Sequence, residues 1–271
     1  DHNLLDELLT ERNEQKILNS TKNVLLTKMS NYISSPLNSV VGFSQAMLDG
    51  LSGELNEKQL KYIEIINTNS SDVLLFINNL IDMSRIESNL YTFEYNNFDI
   101  LALTNIIVNE IKATVIQNKD IPIFLNTSYL LKQNCYSDRN VIAVIISDLL
   151  KNAVSLIETG SITINISNPK IEDIHSIGFK PEPVNSDKPF VLTEMICKGI
   201  DTNPYSDEDV FNPYKQADKN SKKYLLQSLL LATVKMYIKK LNGEINIEIN
   251  SSNTVTFSFI IPADKDTARV K

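Results

Sequence analysis

Two neighbouring stretches of the sequence decide the first part of the fold: residues 29–48, MSNYISSPLNSVVGFSQAML, and residues 55–88, LNEKQLKYIEIINTNSSDVLLFINNLIDMSRIES. In each, apolar or small residues recur at alternating spacings of three and four, the period of one buried helix face. The first stripe comprises Leu26, Met29, Ile33, Pro36, Val40, Phe43 and Met47, and the second comprises Ile63, Ile66, Ser70, Val73, Ile77, Leu80 and Ser84. Because Gly50 and Gly53 lie between the stripes, the sequence predicts a helical hairpin over residues 21–90.

The two stripes also predict an oligomer. One antiparallel hairpin cannot cover both wide apolar faces by itself, so the economical arrangement is a homodimer in which two hairpins form a four-helix bundle. Residues 1–20 are charged and less regular, and we interpret them as a signalling helix or coiled coil that continues upstream. Because the chain opens on Asp1 rather than Met, we expect it to be a segment of a longer protein.

After residue 90 the pattern changes to short β-like runs separated by helical stretches. Strands are predicted at 93–100, 121–126, 161–167, 190–197, 244–250 and 254–261, and helices at about 101–118, 139–158 and 222–241. The last two strands alternate apolar and polar residues and predict a β-hairpin, whereas the polar stretches 168–189 and 198–221 predict loops. The fold class is therefore α+β. The helical hairpin is followed by an α/β sandwich over residues 91–264, with helices on one face of a mixed sheet, and by a tail at 265–271.

Composition excludes several classes of function. The 271 residues are 42% hydrophobic and 22% charged. These proportions are typical of globular domains. The net charge of −7 provides no basic surface for nucleic acid. Cys135 and Cys197 lack metal-ligand spacing, which indicates a reducing cytoplasm. Apolar runs stay far short of the roughly 20 residues that span a bilayer, and no signal peptide opens the chain. We therefore expect a cytoplasmic chain, with membrane attachment only through missing upstream segments.

The stretch at 29–48 resembles the phospho-acceptor helix of sensor histidine kinases, whose usual form is M-S-H-E-L-R-T-P-L-N-x-I-x-G-F. The matching residues are Met29, Ser30, Pro36, Leu37, Asn38, Gly42 and Phe43. The second stretch resembles the other bundle helix of that family. The runs FDILAL at 98–103, YSDRNVIAVIISDLLKNAV at 136–154, VFNPYKQAD at 210–218 and LNGEI at 241–245 resemble landmarks of its ATP-binding domain. The resemblance covers about residues 20–262 and implies a sandwich of the histidine-kinase ATPase type.

The sequence departs from this family where the family carries its chemistry. At the position of the phosphate-accepting histidine stands Asn31, whose amide nitrogen is not a nucleophile at neutral pH. The acidic residue that follows in the family is Tyr32, and the residue that aims a water molecule is Ser35. The histidines of this chain, His2 and His175, lie outside the bundle stripes. We therefore expect no catalytic residue on the hairpin.

The nucleotide-binding motifs of the family are also altered in this sequence. The family's D-x-G-x-G aligns with residues 197–201, so Cys197 replaces the aspartate that reads adenine, while Gly199 is retained. Its G-x-G-x-G aligns with residues 226–230, LQSLL, where leucines favour a continuous helix. The resemblance leaves Lys151, Asn152 and Gly199 as remnants of a cofactor site, with Asn152 the candidate metal ligand. We expect ATP and Mg²⁺ to bind weakly or not at all.

The leading hypothesis is a degenerate histidine kinase, a dimeric pseudokinase that acts as a scaffold or allosteric regulator. Its partner would be a response-regulator receiver domain or another histidine kinase. The resemblance places partner docking at Pro36, Asn38, Ser39, Gly42, Phe43, Ala46 and Met47. The alternative is an active or engineered sensor kinase in which Asn31 replaces the acceptor histidine. A third hypothesis is a nucleotide-driven switch that uses only the sandwich.

Overall fold

A computed structural model describes residues 32–88, 90–114, 121–128, 134–179, 190–200, 202, 210–212, 222–250 and 253–265. The chain divides into two compact units, Asp1–Thr92 and Phe93–Lys271. Asn31, the predicted signalling helix at 1–20 and all but the first residue of the tail at 265–271 lie outside the described residues.

The first unit contains a helical hairpin, as the stripes predict. Helix α1 covers residues 32–48 and continues through Pro36, and helix α2 is Glu57–Glu87. The connection turns at Gly50 and Gly53, where φ is +77° and +93°. A residue with a Cβ rarely adopts such values. Asn56 then caps α2 through a capping box with Gln59. The helices are joined by Asn67, whose Nδ2 donates to Ser44 Oγ at 2.9 Å and to the Val41 carbonyl at 3.3 Å.

The second unit is an α/β sandwich built on two sheets. Its strands are β1 (Tyr95–Asp99), β2 (Ile123–Thr127), β3 (Asn134–Asp138), β4 (Ile157–Ser167), β5 (Phe190–Ile200), β6 (Glu244–Asn250) and β7 (Thr254–Pro262). Its helices are α3 (Ile100–Thr114), α4 (Arg139–Leu156), α5 (Ile171–Ser176) and α6 (Lys222–Lys240). The larger sheet has the order β2-β4-β5-β7-β6, and β1 pairs with β3 in a separate two-stranded sheet. Since β2 is parallel to β4 and the other pairs are antiparallel, the larger sheet is mixed, as predicted.

The main core lies between one face of the five-stranded sheet and the three long helices. Ile164, Met195 and Phe257 are in register across β4, β5 and β7, and all three are buried. Helix α4 contacts β4 and β5, whereas α6 contacts β6 and β7 and α3 contacts β2. This packing holds α4 and α6, which carry most of the predicted nucleotide motifs, on the same side of the sheet.

The sequence predictions are wrong at two elements. Strand β3 is absent from the predicted set, because NCYSD lacks apolar alternation; it forms by pairing with β1. Helix α5 lies within the predicted loop at 168–189. A second hydrophobic cluster unites Ile174, Phe179, Phe190, Leu192 and Ile260. In β5, Leu192 alternates with residues whose side chains face the main core, so its own side chain lies on the opposite face of the sheet. Helix α5 therefore packs on that opposite face. The helices of the sandwich are thus not confined to one face of the sheet, contrary to the prediction from the sequence.

Candidate functional site

The exposed face of α1 carries the residues at which the resemblance places partner docking. Tyr32 and Phe43 are 83% and 74% exposed. Since Tyr32, Pro36, Ser39 and Phe43 are spaced by four, three and four, they lie on one helix face. Of the other predicted docking residues, Asn38 and Gly42 are exposed, and Ala46 and Met47 are half-buried. Sequence reasoning identified Tyr32 only as a lost acid, although its spacing from Phe43 already indicated a shared surface.

This face offers no carboxylate, imidazole or amine. Residues 32–48 contain no Asp, Glu, His or Lys. Ser35 is exposed, and its carbonyl accepts a hydrogen bond from Ser39 Oγ at 3.2 Å. A surface of hydroxyl, amide and aromatic groups can bind another protein, but it provides no carboxylate to accept a proton.

The bundle stripes remain open on a single chain. Ile33 and Val40 of α1 and Ile66 and Val73 of α2 are 36–44% exposed. Apolar side chains left exposed along a helix face are available to pack against a partner.

In the sandwich, α4 carries Asn152, which the resemblance makes the candidate metal ligand, and Asp148 one turn before it. Asn152 is 5% exposed, Asp148 is half-buried and Lys151 is exposed. The spacing of four brings Asp148 and Asn152 to one helix face, whereas Lys151 does not share their burial. Among the described residues there is no group of three or more His, Cys, Asp or Glu that could hold a metal ion.

The end of β5 carries Cys197, which the resemblance aligns with the adenine-reading carboxylate. Cys197 is fully buried, and burial raises the pKa of its thiol to about 12, so the side chain stays uncharged. Its Sγ lies 3.7 Å from the Met195 carbonyl, to which it can donate. An uncharged thiol is a weak hydrogen-bond acceptor and does not replace a carboxylate.

Gly199 has a structural role that requires no ligand. Its φ is +77°, and a Cβ at this position would collide with the carbonyl of Thr159 on β4. A Cβ at Gly160 would likewise collide with the carbonyl of Lys198 on β5. The two glycines therefore permit the close approach of β4 and β5 at a register shift.

Helix α6 runs without interruption through residues 226–230, as the leucines predicted. Residues 227–234 are all buried, and Ser228 Oγ donates to the Leu225 carbonyl at 3.0 Å. Backbone amides inside a helix donate to carbonyls four residues earlier and are not free to bind phosphate. This segment therefore has the geometry of a packing helix and not of a glycine-rich phosphate loop.

Lys235 holds a short turn against α6. Its Nζ lies 4.6 Å from the centre of the Phe211 ring. This distance is within the range of a cation–π interaction. The neighbouring Val210 is 5% exposed. Sequence reasoning missed this contact because the two residues are far apart in the chain and neither belongs to a periodic pattern.

Gln227 provides a measurable test of the α6 packing. In the part of the chain that the structure describes, both amide atoms of this side chain, Nε2 and Oε1, are buried without a hydrogen-bond partner. An unsatisfied buried amide costs about 1–3 kcal/mol. We therefore expect Gln227→Met to raise the free energy of unfolding by about that amount and the melting temperature by several degrees in calorimetry.

The control for this substitution is Gln45→Met. Gln45 is exposed and donates to Asp49 Oδ1 at 2.9 Å. Replacing such a surface residue should change stability by about 0.5 kcal/mol or less. A clear loss of stability in Gln227→Met would contradict the prediction, because it would mean that the amide has a polar partner in solution.

A hairpin with a phospho-acceptor-type helix, followed by a sandwich on a five-stranded mixed sheet, defines the class of histidine-kinase cores. Residues 21–89 match the family described as His Kinase A (phospho-acceptor) domain. The autoinducer 2 sensor kinase/phosphatase LuxQ of Vibrio vulnificus is 24% identical over 255 residues, which are 94% of this chain and 28% of that protein. The hybrid signal transduction protein dokA of Dictyostelium discoideum is 26% identical over 230 residues, covering 84% of this chain and 13% of its own length.

Solved structures show the same fold. Full-length ShkA in complex with AMPPNP superposes with a TM-score of 0.63 at 19% identity, over 91% of this chain and 47% of that one. The histidine kinase AdeS of Acinetobacter baumannii gives a TM-score of 0.52 at 21% identity, over 85% of this chain and 96% of that one. Residues 21–89 thus match the phospho-acceptor domain family, and most of the chain is similar in sequence to sensor histidine kinases and in fold to their solved structures. The chain spans 28% or less of the length of the curated relatives named above. None of the helices in the described ranges is long and apolar enough to cross a membrane.

Proposed function

We propose that this chain is a degenerate member of its family, a pseudokinase that regulates two-component signalling by binding other proteins without transferring phosphate. The observation that carries this proposal is the uninterrupted helix α6, buried on all sides over residues 227–234. In an active member the resemblance implies a glycine-rich loop there, whose free amides would surround the phosphates. A helix that already uses its amides internally cannot perform that role.

The residues at the sequence-predicted nucleotide site do not fit ATP. Cys197 is an uncharged, buried thiol where the adenine-reading carboxylate is expected, and Gly199 is explained by strand packing alone. Asp148 and Asn152 on one face of α4 are the remaining groups suited to Mg²⁺. Two oxygen-bearing side chains without a phosphate partner make a poor Mg²⁺ site, because this ion is usually held by carboxylates together with substrate phosphates.

The docking face of α1 supports a protein partner. We define this face as Tyr32, Pro36, Ser39 and Phe43, the exposed residues that share one side of the helix. Exposed aromatic residues at the centre of a surface are typical of protein interfaces. The partner we propose is a response-regulator receiver domain or another histidine kinase, because these are the proteins that the family's phospho-acceptor helix meets.

The open stripes support a homodimer as the working form. Ile33, Val40, Ile66 and Val73 would be covered if two hairpins formed a four-helix bundle. Of the docking face, Tyr32 and Ser39 lie outside the stripes, whereas Pro36 and Phe43 also belong to the first stripe. A homodimer of this kind is a dimeric scaffold.

Calorimetric titration with ATP and Mg²⁺ tests the proposal. We expect no dissociation constant tighter than about 1 mM, which corresponds to roughly −4 kcal/mol. A family member with intact motifs, titrated in parallel, is the positive control. A micromolar dissociation constant for this chain would contradict the proposal and favour the alternative, an active kinase whose acceptor histidine has been replaced by Asn31.

A further inference from the structure

The connection between the two units is anchored at both ends. On the hairpin side, the backbone amides of Leu90 and Tyr91 both donate to the Arg85 carbonyl, at 3.0 Å and 3.2 Å. On the sandwich side, the amide of Glu94 donates to Asp138 Oδ2 at 2.8 Å. Only Thr92 and Phe93 lie between these anchored residues. A connection this short has few rotatable bonds and transmits displacement better than a long flexible linker.

Asp138 joins this connection to a helix of the sandwich. The residue ends β3, is 3% exposed and is the N-cap of α4. Its Oδ1 accepts hydrogen bonds from the amides of Asn140 at 3.0 Å and Val141 at 3.1 Å. Its other oxygen accepts from Glu94, as described above. One buried carboxylate thus holds two separate segments of backbone, and hydrogen bonds to an ionised acceptor are the stronger kind.

Aromatic rings stiffen the same region. The Tyr95 ring stacks on Tyr136 with centroids 5.9 Å apart, and the Phe93 ring centroid lies 6.5 Å from that of Tyr95. These separations are typical of favourable aromatic pairs. Tyr95 and Asp138 are register partners in the β1–β3 ladder. The segment that enters the sandwich is therefore held by the β1–β3 hydrogen bonds, by the aromatic contacts of Phe93 and Tyr95, and by the Asp138 carboxylate.

We propose that Asp138 is a positioning residue that couples the connection from the hairpin to α4. Displacement at the end of α2 passes through Thr92 and Phe93 to Glu94, then through Asp138 to the first turn of α4. Because α4 is a continuous helix, its far end, with Asp148 and Asn152, responds as well. This coupling would let partner binding on the hairpin change the sandwich. It does not depend on whether the chain binds nucleotide, so its failure and that of the proposed function are distinguishable.

The first test compares Asp138→Asn with Asp99→Asn by hydrogen exchange on the whole chain. A carboxamide has one acceptor oxygen, so it can hold the amides of α4 or that of Glu94, but not both. We expect exchange of peptides covering 92–98 or 139–147 to rise by about tenfold or more. Asp99 ends β1 and accepts from the Ala102 amide at 2.9 Å, so its variant should loosen only the start of α3. Equal effects of the two variants, or none for Asp138→Asn, would overturn the proposal.

A second variant keeps the proposal testable if Asp138→Asn does not fold. Glu94→Pro removes the N–H that donates to Asp138 Oδ2 and leaves the cap of α4, which uses Oδ1, intact. We expect chymotrypsin to cleave this variant after Tyr91 several-fold faster than the wild-type chain, with normal exchange at 139–147. Unchanged cleavage would overturn the proposed anchoring.

Coupling itself is measured with a double-mutant cycle. Ser88 Oγ donates to the Ser84 carbonyl at 2.7 Å at the end of α2, so Ser88→Ala loosens this end. We expect Ser88→Ala to raise exchange at residues 139–147 several-fold in the wild-type chain and to have no effect there in Glu94→Pro. A purely structural role for Asp138 predicts equal effects in both backgrounds, and that result would overturn the proposal.

Discussion

Asn31→His is expected to leave this chain unlabelled by ATP. The substitution restores an imidazole at the phospho-acceptor position, but three deficits remain. Tyr32 supplies no carboxylate, Cys197 is an uncharged thiol with a pKa raised to about 12, and residues 226–230 are helical. Each such acid–base or electrostatic contact contributes on the order of 100-fold to rate, so their joint absence should reduce labelling by about a millionfold relative to an intact kinase.

The same variant separates a lost active site from a lost acceptor. A phosphorylated receiver domain brings its own phosphate and metal and needs mainly an exposed imidazole from its partner. We therefore expect Asn31→His to accept label from a labelled phospho-receiver, while the wild-type chain does not. Incubation with labelled ATP and, separately, with the labelled receiver tests both statements. Labelling from ATP would contradict the pseudokinase proposal and identify Asn31 as the single defect.

Val73→Glu is expected to convert the chain from dimer to monomer. Val73 lies in the second stripe and is 42% exposed on a single chain, so the proposed dimer would bury it. Burying an unpaired charge costs several kcal/mol, and a dimer contains two copies, so the dissociation constant should weaken by about a thousandfold or more. Light scattering at tens of micromolar should report the change in mass.

Leu75→Glu is the matched control for this substitution. Leu75 is 38% exposed, close to the value for Val73. Two residues along a helix correspond to a rotation of about 200°, which places Leu75 on the opposite side of α2. The variant should remain dimeric. A wild-type monomer at high micromolar concentration, or equal dissociation by both variants, would remove the basis for the bundle.

The long periodic elements were predictable from sequence because their burial follows a local repeat. The stripes predicted α1 and α2, and strict alternation predicted the pair β6 and β7, which the structure contains at Glu244–Asn250 and Thr254–Pro262. The leucines at 226–230 predicted the continuous helix α6. The pattern that predicts each of these elements extends over about two helical turns or one strand, so it can be recognised from neighbouring residues in the sequence.

Elements without a local repeat required the tertiary structure. Strand β3 has the sequence NCYSD and is a strand because β1 supplies its hydrogen-bond partners. Helix α5 occurs in a polar stretch that contains four prolines, and it packs on the second sheet face through Ile174, which joins a cluster with Leu192 and Ile260. A pairing partner distant in sequence leaves no periodic signal in either segment.

By itself, the sequence determined the helical hairpin and the chemistry that the hairpin and the sandwich lack, since Asn31, Tyr32 and Cys197 are side-chain identities and need no coordinates. Tertiary structure decided what those and other residues do. It buried Cys197, made Gly199 a packing requirement and brought Asp138 to the amide of Glu94, 44 residues earlier in the chain. The physical reason is that a residue's chemistry is local, whereas its burial and its hydrogen-bond partners are set by backbone segments that only folding brings together.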